Sequence, residues 1–439
     1  MNDTIVLVYP HFKTEDSINQ KLFNPLGIAL LSAQMKLKGI SAVKIDCTFK
    51  KFEKVIEEIV NINPKIIGFY TMITLSKNIY DILNQLKIHL PSALYICGGP
   101  FATLFPSVFS KHFDVIFKGE VNDDLNNFIQ CYFQYNNDKN SFIKSIDLSI
   151  YPGIYVNKNG FFNENESIHL SEEQFSALPL PDREGFDHEN YQKFWQEREG
   201  FKATNIITTA GCPFNCDFCS KPIFGNYFKK RAINDIIREI ENIKTLGYNY
   251  LWISDDCFTL NLNFLEEFCD KLIEKKLEMK WCCLSRADIS NLELFKKMKK
   301  AGCDKVYLGL ESGNNNILKL MKKNLTIEQG IIAVKMLKRA KIKIAGFFIV
   351  GYPGETWETI EDTFNFALKL DLDEVSFNVP YPLPGSQLFE RIPGFDPDKD
   401  WTLENETKFV YKSEFDENLI KQKITNFYKE YKKLIKRKN

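Results

Sequence analysis

The chain has 439 residues, 44% of them hydrophobic and 26% charged. That is the composition of folded domains with large cores, and it excludes a disordered or fibrous protein over most of the length. Lys plus Arg and Asp plus Glu both number 57, so the net charge is zero and no broad basic surface is offered to nucleic acid. The opening MNDTIVLVYP has no basic n-region and no apolar run is long enough to span a bilayer, so a cytoplasmic chain without a membrane span is expected. Eleven cysteines, an odd number, do not predict a disulfide framework in a reducing compartment.

In chain order, Ile5–Tyr9 (IVLVY) reads as a buried strand. Asn24-Pro25 then opens a helix through GIALLSAQMKLKG, with Asn as cap, Pro in the first turn and Gly39 as the stop. Strand Ala42–Ile45, a helix through EKVIEEIVNI, strand Ile66–Tyr70, a helix through NIYDILNQLKIHL and strands Leu94–Cys97 and Val115–Phe117 follow. Strands alternating with helices imply parallel βα units, hence an α/β Rossmann-like sheet over residues 1–150. Between 151 and 197 the rhythm changes. Ile154–Val156 and Phe161–Phe162 flank Asn159-Gly160, a hairpin signal, and the proline-bearing FSALPLPDREGF reads as the linker.

A second βα series occupies 198–395. Candidate strands lie at 205–209, 250–254, 280–285, 305–310, 343–350 and 374–380, with helical stretches between them. Six units predict a partial (β/α)6 barrel of TIM type, two units short of closure, whose active site faces the carboxyl ends of its strands. Residues 396–439, rich in Lys and Glu, predict a strand or loop and then an amphipathic helix, a short C-terminal α extension.

The decisive string is AGCPFNCDFCS, which places Cys212, Cys216 and Cys219 in a CxxxCxxC spacing on a loop after the first barrel strand. Iron–sulfur clusters are held by thiolates, usually four. Three on one tight loop hold three irons of a cubane and leave the fourth open to another ligand, as an open position marks a catalytic metal site. The competing arrangement is a zinc site completed by Cys257, Cys282 or Cys283, although zinc motifs usually come as two separated pairs.

With these residues in view, the chain resembles the radical S-adenosylmethionine (SAM) enzymes over nearly its whole length. The resemblance implies a [4Fe-4S] cluster on the three cysteines and SAM on the open iron, cleaved to a 5′-deoxyadenosyl radical. The electron would come from an external one-electron reductant of flavodoxin or ferredoxin type. Phe218 matches the aromatic residue before the third cysteine. Ser254-Asp255-Asp256, ending the second strand, stands where the family binds the SAM amino group, and acids suit an ammonium. Ser285-Arg286 stands at the SAM carboxylate, Glu311 at the ribose, Gly351 within GFFIVGYPGE at the adenine, and Tyr381 at the end of the sixth strand. Read singly, Asp255-Asp256 also suits a solvated loop, Arg286 a surface ion pair and Gly351 a plain turn.

Within that superfamily the chain is most similar to the group with a cobalamin-binding domain. The resemblance implies cobalamin against Gly27, the Thr71-Met72 loop, the Gly98-Gly99 turn and the Gly119-Glu120 turn. No DxHxxG motif is present, so no histidine is offered to the cobalt from below. The function implied is a cobalamin-dependent C-methyltransferase acting on a small-molecule or natural-product substrate. Two other readings stand beside it. One is a radical SAM dehydratase, deoxygenase, cyclase or epimerase that keeps the domain without methyl transfer. The other, a cobalamin or redox sensor, has no need of the SAM positions. Tyr307, Cys257, Cys282 and Cys283 lie near strand ends as candidate hydrogen donors, with core packing as their alternative role.

Overall fold

Two sheets of six strands each account for the two rhythms of the chain. The computed structural model describes residues 2–14, 21–135, 138–158, 161–162, 167–221, 223–392 and 409–436. The first sheet comprises β1 (Asn2–Tyr9), β2 (Ser41–Asp46), β3 (Pro64–Tyr70), β4 (Leu94–Gly98), β5 (Val115–Phe117) and β6 (Ile154–Tyr155). Their order is β2-β1-β3-β4-β5-β6. Alternate residues of each strand enter two separate cores, Val6, Val8 and Ile67 on one face and Ile5, Leu7 and Ile66 on the other. A parallel sheet buried on both faces needs such unbroken apolar runs. The order reverses between β1 and β3, and a ligand crevice opens at such a switch point.

Two expectations change here. Ile154–Tyr155 is not an arm of the hairpin. It joins the first sheet antiparallel to β5, with Phe117 opposite Ile154, because its apolar side chains complete that core. The hairpin is instead Asn157–Lys158 paired with Phe161–Phe162, and its Asn159-Gly160 turn lies outside the described residues. Asn24 does not cap the helix Leu26–Leu37 (α1), whose cap position is Pro25. Its buried side chain instead accepts from Thr204 Oγ1 (3.3 Å) and Tyr248 Oη (3.2 Å) of the second half.

The second sheet comprises β7 (Ala203–Ile206), β8 (Tyr250–Ile253), β9 (Lys280–Arg286), β10 (Cys303–Glu311), β11 (Lys343–Ile349) and β12 (Glu374–Asn378). All are parallel and in sequence order, which is the open barrel expected. Outward side chains such as Leu251, Cys283, Val306 and Leu308 meet the surrounding helices. Inward ones, Tyr250, Cys282 and Tyr307, meet Tyr191, Phe194 and Trp195 of the helix His188–Glu199. Part of the expected linker is thus a helix that fills the barrel interior. The C-terminal helix Glu417–Lys436 buries Ile420, Ile424, Phe427 and Tyr431, one stripe at helical spacing. Residues 393–408 lie outside the described residues, and 409–416 form no strand. Among the described residues no helix is long and apolar enough to cross a membrane.

The linker fixes the two halves through adjacent residues. Asp182 accepts from Ser32 Oγ (2.6 Å), from Lys44 and from Lys36 (3.0 Å), all in the first half. Arg183 pairs with Glu239 (2.7 Å) and donates to Asn205 O (2.7 Å), both in the second, where Arg231 takes the other Glu239 oxygen (2.6 Å). Burial raises the Asp182 carboxyl, but its bonds to Lys44, Ser32 and Lys36 outweigh that and hold it at about 2. Against an unfolded value of about 3.9, this stabilisation is complete above that value and lost as pH falls toward 2. The size is about 1–2 kcal/mol, with solvent screening discounting the share of half-exposed Lys36. Asp182→Asn should therefore lower stability at neutral pH and flatten the acid limb of unfolding followed by tryptophan fluorescence.

Candidate active site

The three-cysteine loop leaves β7 through Gly211, at φ +78°, where a Cβ would lie 1.8 Å from Tyr227 O, so only glycine fits. Lys221 Nζ donates to Cys212 O (2.8 Å) and to Phe214 O, and Cys219 N reaches Cys216 O (3.1 Å). Asp217, between the second and third cysteines, is buried and accepts from Tyr352 Oη and Arg391. Its backbone also bonds Met321 O and Leu388 N, each at 2.9 Å. The loop is thus fastened on several sides while the three thiols stay partly exposed and unpaired with one another.

Two of the three thiols respond to burial. It pushes Cys219 up to about 11 with Lys221 opposing, and raises Cys216 with Lys323 and Arg286 opposing. Thiolates here therefore need the charge of a metal, which deprotonates a ligating thiol outright. Among the described residues no three His, Cys, Asp or Glu side chains are drawn around one point as about a single ion. A cubane asks something different of its three thiols, each of which binds its own corner iron.

The strand ends behave less uniformly than the resemblance implies. Asp255 is buried and accepts from Thr208 N (2.7 Å), Thr209 N (2.9 Å), Thr209 Oγ1 (2.7 Å) and Thr208 Oγ1. Burial lifts its carboxyl to about 6 against those donors. It has no oxygen left for an ammonium and serves to hold the end of β7. Exposed Asp256, beside Ser254, accepts from Gly211 N (2.8 Å) and is the less occupied of the two acids. Ser285 is buried against Thr259 Oγ1 (2.7 Å) and Arg286 O (2.9 Å). Arg286 pairs with Asp288 (2.9 Å), donates to Lys323 O (2.9 Å) and Asn324 O (3.0 Å), and stacks 3.7 Å from the Phe214 ring centre.

Glu311 stands at φ +61°, a strained angle for a side chain, and Oε1 accepts from buried Lys323 Nζ (2.6 Å). A Cβ on Gly309 would lie 2.5 Å from that oxygen and 2.7 Å from Nζ, so this glycine makes room for the pair. Lys323 lies 5.9 Å from the Phe218 ring centre and ties the fourth strand's acid to the cysteine loop. Sequence reasoning missed Lys323, one of several neighbouring lysines, and Asp217, although the latter stood inside the motif. Gly351 does not simply face a ligand. At φ +79°, its missing Cβ leaves space for Phe409, which would be 2.8 Å away. Tyr381 packs against the first half's apolar cluster because its segment crosses to that side.

Between the two sheets lies a cavity of about 590 Å³. Its wall includes Tyr9, Gly27, Tyr70, Met72, Gly98, Gly99, Gly119 and Glu120 from the first half, linker prolines 179 and 181, and Asn205, Arg231 and Ser254 from the second. Thr71 is turned inward, donating to Gly98 O (3.0 Å) and accepting from Ala102 N (3.0 Å), so Met72 alone of that pair faces the cavity. Gly99 and Gly119 are required by the protein's own backbone. Their Cβ atoms would lie 2.7 Å from Thr71 O and 2.3 Å from Ile168 O. Glu120 accepts from Lys229 and from Leu170 N (3.0 Å), joining the halves through an ion pair 4% and 2% exposed.

The cavity also has what a ring fringed with carboxamides needs. Asn24 Nδ2, Gln34 Oε1, Asn205 Oδ1 and Arg231 Nη2 are buried without partners among the described residues, and all four residues line it. Each such atom costs about 1–3 kcal/mol until satisfied, and carboxamides both donate and accept. The residues present therefore fit cobalamin. Of the hydrogen-donor candidates, Tyr307 and Cys282 face the barrel interior. Cys283 faces the helices with Cys269 and Cys303, because alternate strand residues point oppositely, so it has no access to a substrate. Cys257 is buried beside Thr259 (3.9 Å).

Comparison with known proteins agrees with this arrangement. Residues 206–367 match the radical SAM superfamily and residues 20–128 the B12 binding domain. An uncharacterised methyltransferase of Pyrococcus horikoshii is 28% identical over 88% of this chain and 82% of its own length. The anaerobic magnesium-protoporphyrin IX monomethyl ester cyclase of Cereibacter sphaeroides is 27% identical over 88% of this chain and 63% of its own. The fold is shared with the radical SAM methyltransferase TsrM of Kitasatospora setae, solved with cobalamin and a [4Fe-4S] cluster. The TM-score is 0.75 at 17% identity, covering 88% of this chain and 74% of that one.

Anaerobic reconstitution should load iron on the intact chain, and none when Cys212, Cys216 and Cys219 are all changed to Ala. Asp217→Asn should lower iron content and cost about 2 kcal/mol in chemical denaturation. That is less than a fully buried pair, because the Arg391 side chain is 50% exposed.

Proposed function

Because the chain belongs to the radical SAM enzymes that carry an N-terminal B12-binding domain, we propose that it methylates an unactivated carbon of a small-molecule or natural-product substrate. Its cofactors are a [4Fe-4S] cluster, SAM and cobalamin. When bound, SAM at the cluster supplies a hydrogen-abstracting radical and cobalamin supplies the methyl group.

The observation that carries the methyl-transfer reading is the shared cavity. Its wall runs from the switch-point end of the first sheet to Ser254 at the end of the second, so Met72 and Ser254 border one space. Cys212, Cys216 and Cys219 would hold the cluster, Asp256 would take the ammonium of SAM, and Glu311 would offer its remaining oxygen to the ribose. Lys323 and Arg286 fix the acid and the loop that these contacts depend on. The predominantly apolar wall, with Leu7, Ile96, Phe117, Leu125 and Phe224, keeps water from a reactive intermediate. The electron comes from an external one-electron reductant.

A second reading, hydrogen abstraction without methyl transfer, is favoured by the likeness to the Cereibacter cyclase. One experiment separates the two. Protein purified anaerobically from cobalamin-fed cells should hold close to one cobalamin per chain. Given SAM, reductant and a small-molecule extract of its own cells, it should form S-adenosylhomocysteine and 5′-deoxyadenosine in step. Deoxyadenosine without S-adenosylhomocysteine, with cobalamin bound, would favour the second reading.

A further inference from the structure

Lys21 comes from the first half but ends inside the barrel. Its neighbours Leu22 and Phe23 are held there, Leu22 O accepting from Trp195 Nε1 (2.7 Å) and the Phe23 ring lying 5.0 Å from Trp195 and 5.9 Å from Trp252. The ammonium sits 4.0 Å from the Trp252 ring centre and 4.2 Å from that of Tyr307, and donates to Tyr307 Oη (3.1 Å). An ammonium has three donors, and among the described residues only this one is engaged. No described carboxylate pairs with it. Cys282 and Glu374 attract it most, but burial raises the Cys282 thiol and so keeps its proton on, and Glu374 is itself ion-paired to Lys305, which repels the ammonium; Glu199 acts more weakly.

The ammonium is therefore short of counter-charge. Burial pulls it down to about 8. Two aromatic faces return only part of what drawing an ion out of water costs. Yet the residue is open to the cavity that Ser254 also lines, so its free donors point into space a ligand can enter. Tyr307 Oη accepts from Lys21 and keeps its own proton, since burial raises its ionisation well beyond neutral pH. An ammonium and a phenol O–H side by side make a two-donor seat for an oxyanion.

We propose that Lys21 and Tyr307 hold an acidic group of the substrate, a carboxylate or a phosphate, and so restrict this enzyme to anionic small molecules. The assignment rests on the reading that a small molecule reacts in this cavity. It also sets a size. Trp252 precedes Ser254 by two residues and Tyr307 precedes Glu311 by four, on inward-facing positions. At about 3.3 Å per residue, the seat lies roughly 7–13 Å along the barrel from the SAM-side residues. The acid and the reacting carbon are then separated by the length of a small metabolite. Binding energy at this remote end positions the carbon.

The test is equilibrium dialysis of the holoenzyme, loaded with cluster, cobalamin and SAM. The bath is a defined mixture of small carboxylates, phosphate esters, neutral sugars and amines, with the retained compounds read by mass spectrometry. Acids should be retained, and Lys21→Met should weaken that retention about tenfold or more, with Lys21→Arg restoring part of it. Iron and cobalamin content, read from absorbance, verify that the variants are folded. Competition by inorganic phosphate but not acetate identifies a phosphate, and the reverse a carboxylate. Retention of neutral or cationic compounds only, retention of nothing, or equal retention of acids by Lys21→Met overturns the proposal. Missing iron or cobalamin in the wild-type protein counts instead against the preceding reading.

Discussion

Asp182 and Arg183 are consecutive, their Cα atoms about 3.8 Å apart, and they face opposite halves of the molecule. Asp182 closes on Ser32, Lys36 and Lys44, and Arg183 on Glu239 and Asn205. Whatever holds one half in place therefore holds the other. Glu120 with Lys229, Asn24 with Thr204 and Tyr248, and Tyr191 Oη with Asp46 (2.8 Å) cross the same boundary. Apolar packing alone would let two curved surfaces slide. Buried hydrogen bonds do not, because each has one geometry and leaving it unmade is costly. The cavity between the sheets, and any chemistry that needs two cofactors face to face, depends on this fastening.

A second constraint acts on charge. The cysteine loop is ringed by cations: Lys221 and Arg391 bond to it, Arg286 stacks on Phe214, and Lys323 lies 5.9 Å from the Phe218 ring centre. Burial raises the Cys216 and Cys219 thiols while Lys323, Arg286 and Lys221 oppose it, and a bound metal would deprotonate them. Neighbouring acids are sorted by the same logic. Asp255 is surrounded by four donors and removed from solvent, whereas Asp256, one residue on, keeps an oxygen exposed. A strand end alternates its side chains between the interior and the open face, so two identical residues in succession take different work.

Much of this was legible in the chain. Cys212, Cys216 and Cys219 declare themselves by spacing, since one loop must hold them all. The strands were visible as apolar runs, and the βα alternation dictated parallel sheets. Where the reading went astray, a local rule met a distant partner. Asn24 before Pro25 looks like a helix cap but bonds across the domain boundary. Ile154–Tyr155 looks like half a hairpin but completes the first sheet. Gly99 and Gly119 do line the cavity, but their missing Cβ atoms make room for the carbonyls of Thr71 and Ile168.

The sequence by itself determined the two βα architectures and the placing of Cys212, Cys216 and Cys219 on one loop after the first barrel strand, because spacing and periodicity are properties of short segments. Only the tertiary structure decided which polar side chains remain free to act. Asp255 and Thr71 are satisfied by neighbours, and Asp217 and Lys323 are fixtures of the cysteine loop. Lys21 became a candidate only once Trp252 and Tyr307 were seen on either side of it, 231 and 286 residues further along the chain. Burial and hydrogen-bond satisfaction depend on what folding brings near, and no pattern within a segment records that.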